Sequence, residues 1–272
     1  MGFIQCGGAV HFFELRPPAA MAPGSGAPRP TLVFVNALGT DYRIWDAVVE
    51  ALPSSLWVLR YDQRGHGLSE LGERPYDVDG LSRDLGALLD QLGPAQVVLC
   101  GLSLGGLVAQ RFALARDPRL VGLCLCGTAA RIADRDFWQG RMQQVAAGGL
   151  DAVASAIVLR WFGEPFRKRD PVAVRGYETL LRRMPVEGYL ASLEALAGAD
   201  LREQVQNIRV PTLVVAGELD LATPPERVRE LALEIPGARF EVLRDASHLM
   251  CVEEPQALGR LLLSFLGEIG IV

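Results

Sequence analysis

Short apolar runs recur along the chain and alternate with longer amphipathic segments. The runs are rich in valine and leucine: TLVFV (31–35), WVLRYD (57–62), QVVLCG (96–101), LVGLCLCG (120–127), PTLVVAG (211–217) and, more weakly, RFEVLRD (239–245). An apolar run of this length predicts a strand that is covered on both faces. The pattern therefore predicts six buried strands.

The segments between these runs carry apolar residues at helical spacing, most clearly VDGLSRDLGALLDQLG (78–93) and PERVRELALEI (225–235). Strands that alternate with helices predict βαβ units, and hence an α/β fold with a mostly parallel central sheet flanked by helices. Before these units we predict a strand pair up to about Leu15, with a turn at Gly7-Gly8. The Pro-, Gly- and Ala-rich stretch from Arg16 to Pro30 predicts an exposed loop.

The alternation stops between Ala129 and Val205. This stretch is helix-prone and rich in arginine, and it contains no convincing strand pattern. A structureless loop of that length would be implausible inside a compact domain. We therefore predict a helical cap at 129–205, inserted between the N-terminal part of an α/β core (1–128) and its C-terminal part (206–272).

Composition narrows the class of protein. Half of the 272 residues are hydrophobic, which is enough for one sizeable core, and the net charge of −5 argues against a nucleic-acid partner. The N-terminal sequence lacks a signal-peptide pattern, and no apolar run is as long as a membrane span, so we expect a cytoplasmic protein that does not bind membranes. Five cysteines without paired spacing, and no histidine at ligand spacing from them, predict no disulfide framework and no metal site. We expect no cofactor, and the sequence does not determine the oligomeric state.

The candidate chemistry begins in LCGLSLGGLV (99–108). Gly101, Ser103 and Gly105 lie between a strand pattern and a helical pattern, which is the context of a G-x-S-x-G nucleophile elbow. A serine in so sharp a turn needs neighbours without a Cβ atom two positions before and after it, and Gly106 allows the helix to pack closely. The N-terminal end of that helix favours an oxyanion. We predict Ser103 as a nucleophile; a structural serine in a Gly-rich turn is the alternative.

A serine hydroxyl needs a base, and the chain has three histidines. His248, in DASHLM, follows the last predicted strand, and the base comes last in the order serine, acid, histidine that accompanies this elbow. We predict His248 as the base. His11, in the first strand pair, and His66, in YDQRGHGLS, are predicted to be structural, although His66 could lie near the pocket.

The acid is expected between the serine and the base, at the end of a strand. VVAGELDLATPP places Asp220 there with Glu218 beside it, and the Gly-x-x-Asp turn should direct the Asp220 carboxylate over the sheet edge. Asp134 is the alternative, whereas Asp245 is too close to His248 along the chain and is expected to support its loop. The acid would fix the imidazole tautomer and stabilise the imidazolium.

An oxyanion hole needs two backbone N–H donors. We predict those of Leu104, which follows the nucleophile, and of Leu38, in the loop NALGT after the strand at 31–35. Asn36 of the same loop either orients it or caps its turn, and the sequence does not decide between the two.

These motifs resemble the 3-oxoadipate enol-lactonases of the α/β-hydrolase superfamily. The matching segments run in order along nearly the whole chain after the Pro-rich stretch: NALGTDYRIWD (36–46), VLRYDQRGHGLS (58–69), CGLSLGGLVAQ (100–110), LCGTAARIADRDFWQGR (125–141), RWFGEPF (160–166), EGYLASLEAL (187–196), ADLREQVQNIRVPTLVVAGELDLATPP (199–225) and DASH (245–248). The elbow and the acid motif occur in many hydrolases. More specific are NALGTD, CGTAARI with FW, and RWF, because two of the three lie in the predicted cap.

The resemblance implies an α/β-hydrolase fold and a serine hydrolase that opens 3-oxoadipate enol-lactone to 3-oxoadipate by acyl-enzyme chemistry, in the degradation of aromatic compounds. That substrate is a small anionic lactone, so cations or donors in the cap should hold its carboxylate. The candidates pair a cation with an aromatic wall: Trp138 with Arg141, and Arg160 with Trp161. A small-ester hydrolase or perhydrolase of the same fold, and a non-hydrolysing ligand receptor, are the alternatives.

Overall fold

A computed structural model describes residues 1–18 and 30–272. The strands of this part of the chain are β1 (Gly2–Cys6), β2 (Ala9–Arg16), β3 (Thr31–Val35), β4 (Trp57–Tyr61), β5 (Val97–Leu102), β6 (Leu120–Cys126), β7 (Thr212–Gly217) and β8 (Arg239–Leu243). The α-helices are α1 (Asp46–Ala51), α2 (Val78–Leu92), α3 (Leu104–Leu114), α4 (Arg135–Gly148), α5 (Ala154–Trp161), α6 (Glu164–Arg169), α7 (Pro171–Arg182), α8 (Val186–Gly198), α9 (Pro225–Glu234), α10 (Met250–Glu253) and α11 (Pro255–Glu268). Short 3-10 helices cover Tyr42–Trp45, Leu150–Ala152 and Val205–Asn207.

The strands form one sheet in the order β1-β2-β4-β3-β5-β6-β7-β8. β2 pairs antiparallel with β1 and with β4, and the remaining neighbours are parallel. All six predicted strands are present, as are the predicted strand pair and its turn. Burial was predicted for all six, but in β8 only Leu243 is buried, because this strand lies at the edge of the sheet. In the Pro-rich stretch, Arg16 ends β2 instead of starting the loop, and residues 19–29 of the predicted loop lie outside the described residues.

The parallel part of the sheet is covered on both faces. Every residue of β3, β5 and β7 is buried, which explains why these strands are apolar throughout. A Cβ atom on Gly101 would overlap α3, whereas one on Gly122, the partner of Val98, would meet Phe265 and Ile269 at the end of the chain. Because side chains alternate between the faces of a strand, α3 and α11 cover opposite faces.

The predicted helices at 78–93 and 225–235 are α2 and α9. The side chain of Asp77 accepts from the N–H of Gly80 at the start of α2, and Gly93 ends the helix in the left-handed region at φ 70°. In α9 a proline occupies the first helical position, where no N–H is needed.

Helices α4 to α8 lie between β6 and β7, and we call them the cap helices. α4 packs on α8, and α5 packs on α7. They fall within the predicted segment 129–205, whose status as a separate domain stays a prediction. Across residues 1–18 and 30–272, no helix has the length and apolar character that a membrane crossing requires.

The parallel strands all end at one edge of the sheet, which is where α/β folds place their ligand sites. β3 leads into the loop of Leu38, and β5 leads into Ser103. β7 is followed by Asp220, and β8 by the loop of His248. The fold therefore brings the candidate residues, which are far apart in sequence, to the same edge.

Candidate active site

Ser103 occupies a strained turn between β5 and α3. Its φ of 57° and ψ of −116° lie in a region that few residues other than glycine adopt. A Cβ atom on Gly101 would overlap the carbonyl oxygen of Gly105, and one on Gly105 would overlap the carbonyl oxygen of Val35. A Cβ atom on Gly106 would meet the side chain of Thr128. The three glycines are therefore required by the close packing around the turn.

Hydrogen bonds to neighbouring elements hold this conformation. The N–H of Ser103 donates to the carbonyl of Cys126 over 3.0 Å. The carbonyl of Ser103 accepts from the hydroxyl of Thr128 over 2.8 Å and from the N–H of Gly106 over 2.9 Å. The Ser103 hydroxyl itself lines a cavity at the sheet edge.

His248 and Asp220 form a buried pair beside that cavity. His248 Nδ1 lies 2.8 Å from Asp220 Oδ2, and the two residues are 4% and 2% exposed. His248 lines the same cavity as Ser103. With Nδ1 committed to the carboxylate, Nε2 is the imidazole nitrogen that is free to exchange a proton in the cavity.

The Asp220 carboxylate is held by further donors. Its Oδ1 accepts from the N–H groups of Ala222, at 2.7 Å, and Thr223, at 3.0 Å. Its Oδ2 also accepts from the Thr223 hydroxyl at 2.7 Å. Thr223 was not among the predicted site residues, because a threonine three residues after a candidate acid and before a Pro-Pro pair is a weak signal.

The other acidic candidates have different partners. Asp134 caps α4, its carboxylate accepting from the N–H of Phe137 at 2.8 Å, and it lies at the cavity without contacting His248. Glu218 accepts from the N–H of Asp245 over 3.1 Å. This bond uses the backbone of Asp245, so the supporting role predicted for its side chain stays a prediction. Asp220 is the carboxylate that contacts the imidazole.

Leu38 and Leu104, whose N–H groups are predicted to form the oxyanion hole, follow β3 and β5 at the same edge of the sheet. Leu38 lines the cavity, and Leu104 is the first residue of α3, where a backbone N–H has no partner within the helix. Among the described residues, no acceptor is bonded to either N–H. Asn36 donates from Nδ2 to the carbonyl of Tyr61 and accepts from the indole of Trp45, so it anchors the loop to its surroundings.

His66 is buried behind the loop of Leu38. The N–H of Gly39 donates to its Nε2 over 3.2 Å, and its Nδ1 lies 3.1 Å from the carbonyl of Arg64. Burial lowers the pKa of His66 to about 4, so the imidazole is neutral at physiological pH and can accept from Gly39. His11 is also buried, and burial lowers its pKa as well. Both histidines therefore have surroundings that suit the structural role predicted for them.

The cavity has a volume of about 560 Å³ and extends from Ser103 to the cap helices. All four predicted substrate-binding residues line it: Trp138, Arg141, Arg160 and Trp161. The guanidinium groups of Arg160 and Arg141 lie 5.4 Å and 5.8 Å from the ring centroid of Phe137. Within the described residues neither guanidinium forms a salt bridge; Arg160 donates to the carbonyl of Leu221 over 2.9 Å.

Two more features of this wall were not predicted. Phe137 contacts both guanidinium groups with its ring, and its position next to Trp138 in the sequence was the available signal. The indole N–H of Trp138 is buried and has no partner among the described residues. Burial, together with the nearby positive charge of Arg141, lowers the pKa of Arg160. The cavity that contains Ser103 is therefore lined by two guanidinium groups without a carboxylate partner among the described residues, and by Trp138.

The predicted nucleophile, base and acid, Ser103, His248 and Asp220, thus lie at one edge of a mostly parallel sheet that is covered by helices on both faces. The model of the alpha/beta hydrolase family matches residues 32–261, and the chain belongs to this family. The fold class predicted from the sequence is therefore confirmed.

Within the family, the chain is similar to enol-lactonases. It is 39% identical over 231 residues to 3-oxoadipate enol-lactonase 2 of Acinetobacter baylyi, covering 85% of this chain and 86% of that protein. The crystal structure of the enol-lactonase from Burkholderia xenovorans superimposes with a TM-score of 0.91 at 36% identity, covering 98% of this chain and 100% of that one. The resemblance inferred from the motifs is thus confirmed.

The chain is also similar to an esterase. It is 32% identical over 251 residues to the pimeloyl-[acyl-carrier protein] methyl ester esterase of Aeromonas hydrophila, covering 88% of this chain and 96% of that protein. Relatives of comparable coverage thus bear the names of different ester and lactone hydrolases. Membership of the family accordingly leaves the substrate to be inferred from the cavity.

Proposed function

We propose that this protein hydrolyses 3-oxoadipate enol-lactone to 3-oxoadipate, with Ser103, His248 and Asp220 as the catalytic triad. The observation that carries the proposal is the cavity itself. It holds Ser103 and His248 at one end and, at the cap, the guanidinium groups of Arg141 and Arg160, neither of which has a carboxylate partner among the described residues. A small lactone that bears a carboxylate matches this combination.

The first step forms the acyl-enzyme. Ser103 Oγ attacks the lactone carbonyl carbon while its proton passes to Nε2 of His248. Asp220 keeps the proton on Nδ1 and stabilises the imidazolium across the 2.8 Å contact. The negative charge that develops on the carbonyl oxygen is stabilised by the N–H groups of Leu38 and Leu104.

The ring then opens as the carbonyl carbon expels the enol oxygen, which takes the proton from His248. The former ring stays attached to Ser103 as a linear acyl group, since the acyl and enol parts belong to one molecule. His248 next removes a proton from water, whose oxygen attacks the acyl carbon and releases Ser103 with its proton restored. The product is the enol of 3-oxoadipate, which tautomerises to the ketone.

The substrate carboxylate would bind at the cap. Arg160 and Arg141 supply charge-assisted hydrogen bonds, and the indole N–H of Trp138 supplies a third donor. Trp161, which is buried at the cavity wall, supplies apolar contact for the ring. The 39% and 35% identical relatives named 3-oxoadipate enol-lactonases support this assignment.

A small-ester hydrolase is the second candidate. Leu221, whose carbonyl is bonded to Arg160, is 67% exposed, and Phe137 at the cavity is 38% exposed. Apolar surface at the opening would suit an ester with a longer chain, and the esterase relative supports this alternative.

The deciding experiment follows the absorbance of the enol-lactone with the wild-type protein and with Ser103→Ala, beside p-nitrophenyl acetate. Rapid loss of the lactone signal that requires Ser103, with slow acetate cleavage, is the expected result. Turnover of acetate but not of the lactone would reject the substrate and retain the triad. A Ser103→Ala variant that keeps most of its activity would reject the triad.

A further inference from the structure

Glu253 is a buried carboxylate that the proposed chemistry does not use. It lies in α10, five residues after His248, and is 2% exposed. Among the described residues it forms no salt bridge; each carboxylate oxygen accepts from a backbone N–H instead. Oε1 accepts from Gly163 over 2.7 Å, and Oε2 accepts from Ser247 over 2.5 Å. A carboxylate is costly to bury, so two such specific bonds point to a positional role.

The two N–H groups belong to two segments whose neighbouring residues line the cavity. Ser247 precedes His248, and Gly163 follows the end of α5, which carries Arg160 and Trp161. The same two segments are joined directly: the N–H of Leu249 donates to the carbonyl of Trp161 over 3.0 Å. Glu253 therefore bonds both to the loop of the base and to the cap segment that faces the substrate.

We propose that Glu253 is a positioning residue, whose carboxylate fixes the loop of His248 against the end of α5 and so aligns the base with a substrate bound at Arg160 and Trp161. The proposal rests on the proposed function in assigning His248 as the base. Because Gly163 and Ser247 each donate to a different oxygen, the role needs both oxygens as acceptors. An ionised carboxylate offers that, whereas a carboxamide presents an NH₂ group to one of the two N–H donors.

The surroundings of Glu253 add a pH dependence. The pKa of Glu253 is raised to about 7, mainly by burial and to a smaller extent by the charges of Asp220 and Glu254, while the bonds from Gly163 and Ser247 oppose the rise. The neighbouring Arg169 of α6 donates to the backbone carbonyl of Glu253 and to the Glu254 carboxylate. Protonation of Glu253 as the pH falls below about 7 weakens one acceptor. Activity should then fall as Glu253 becomes protonated.

The test compares Glu253→Gln with Glu254→Gln, which changes the adjacent, more exposed carboxylate. We expect Glu253→Gln to lower kcat at least about tenfold and Glu254→Gln to stay within about twofold of wild type. In the pH profile of kcat/KM, the acid limb of the wild type should be steeper than that of Glu253→Gln, which lacks the protonation of Glu253. An acid limb with the same slope in both proteins would overturn the proposal.

Amide hydrogen exchange supplies a readout that does not depend on the substrate. The N–H groups of Gly163 and Ser247 should be protected in the wild type and in Glu254→Gln, and both should exchange faster in Glu253→Gln. Unchanged protection in a folded Glu253→Gln protein would overturn the proposal. If Glu253→Gln does not fold, Glu253→Asp takes its place, because it keeps the charge on a shorter side chain. In that variant the N–H groups of Gly163 and Ser247 must exchange faster than in the wild type, and kcat must be reduced. Failure of the wild type to open the lactone would reject the proposed function. The hydrogen-exchange result would still test whether Glu253 holds Gly163 and Ser247.

Discussion

The backbone N–H of Gly39 donates to Nε2 of His66 over 3.2 Å, one residue after the predicted oxyanion donor Leu38. Replacing His66 with phenylalanine removes this acceptor while keeping an aromatic ring. We expect kcat on the lactone to fall about tenfold or more with little change in KM, because the loop then holds the transition state less well. His11→Phe, which alters a buried histidine in β2, is the control for loss of an imidazole. Equal losses in both variants would contradict a role for His66 at the loop.

His66 also gives a pH dependence of stability. Its pKa is about 4 in the folded chain, against an ordinary value of 6.5, so the unfolded chain binds more protons between these values. The free energy of unfolding should therefore decrease as pH falls from 6.5 to 4, by up to about 3 kcal/mol from this group. Urea unfolding of wild type and His66→Phe at several pH values measures the difference. If the free energy of unfolding changes with pH in the same way in both proteins, His66 does not contribute to the pH dependence of stability.

Gly105→Ala should damage the elbow, because a Cβ atom there would overlap the carbonyl oxygen of Val35. We expect a loss of stability of more than about 2 kcal/mol and almost no activity. Gly140→Ala in α4 is the matched control, since a Cβ atom there would meet no atom within 4 Å. It should stabilise the helix by up to about 1 kcal/mol. Thermal unfolding and lactone turnover of both variants check this pair of outcomes.

Asp220→Asn keeps the size of the side chain and removes its charge. The imidazole of His248 then loses the acceptor that fixes its tautomer, and kcat should fall on the order of 10⁴-fold near neutral pH. Steady-state lactone kinetics measure the effect. Glu218→Gln changes the nearby exposed carboxylate and is the control. A similar loss of kcat in that variant would show that removing any carboxylate of this loop lowers activity, and would contradict a specific role for Asp220.

Arg160→Met should weaken binding of the lactone carboxylate. Loss of a charge-assisted hydrogen bond predicts an increase in KM for the lactone of about tenfold or more. Turnover of p-nitrophenyl acetate, which has no carboxylate, should change little. Arg175→Met, an exposed arginine of α7, serves as the control. Equal effects on lactone and acetate would exclude Arg160 as the carboxylate site.

Trp138→Phe keeps an aromatic wall and removes the buried indole N–H that lacks a partner. A smaller increase in the KM of the lactone, again without an effect on acetate, is expected. A KM equal to that of wild type would assign Trp138 to packing alone.

Local sequence was sufficient to predict the strands, the G-x-S-x-G elbow and the order of the candidate residues along the chain. The run TLVFV became β3 because a strand buried on both faces must be apolar throughout. Gly101 and Gly105 marked the turn around Ser103 because the packing there excludes a Cβ atom. Each of these signals lies within a few consecutive residues, so it can be recognised in the sequence without knowledge of the tertiary structure.

Tertiary structure alone decided which distant groups meet. Asp220, Glu218 and Asp134 were all acidic candidates, and the parallel pairing of β7 with β8 brings the Asp220 carboxylate to His248. Gly163 and Ser247, which donate to Glu253, lie 90 and 6 residues from it along the chain. Gly39, which donates to His66, lies 27 residues from it. Such contacts depend on how strands and helices pack, and no local pattern of hydrophobic and polar residues encodes them.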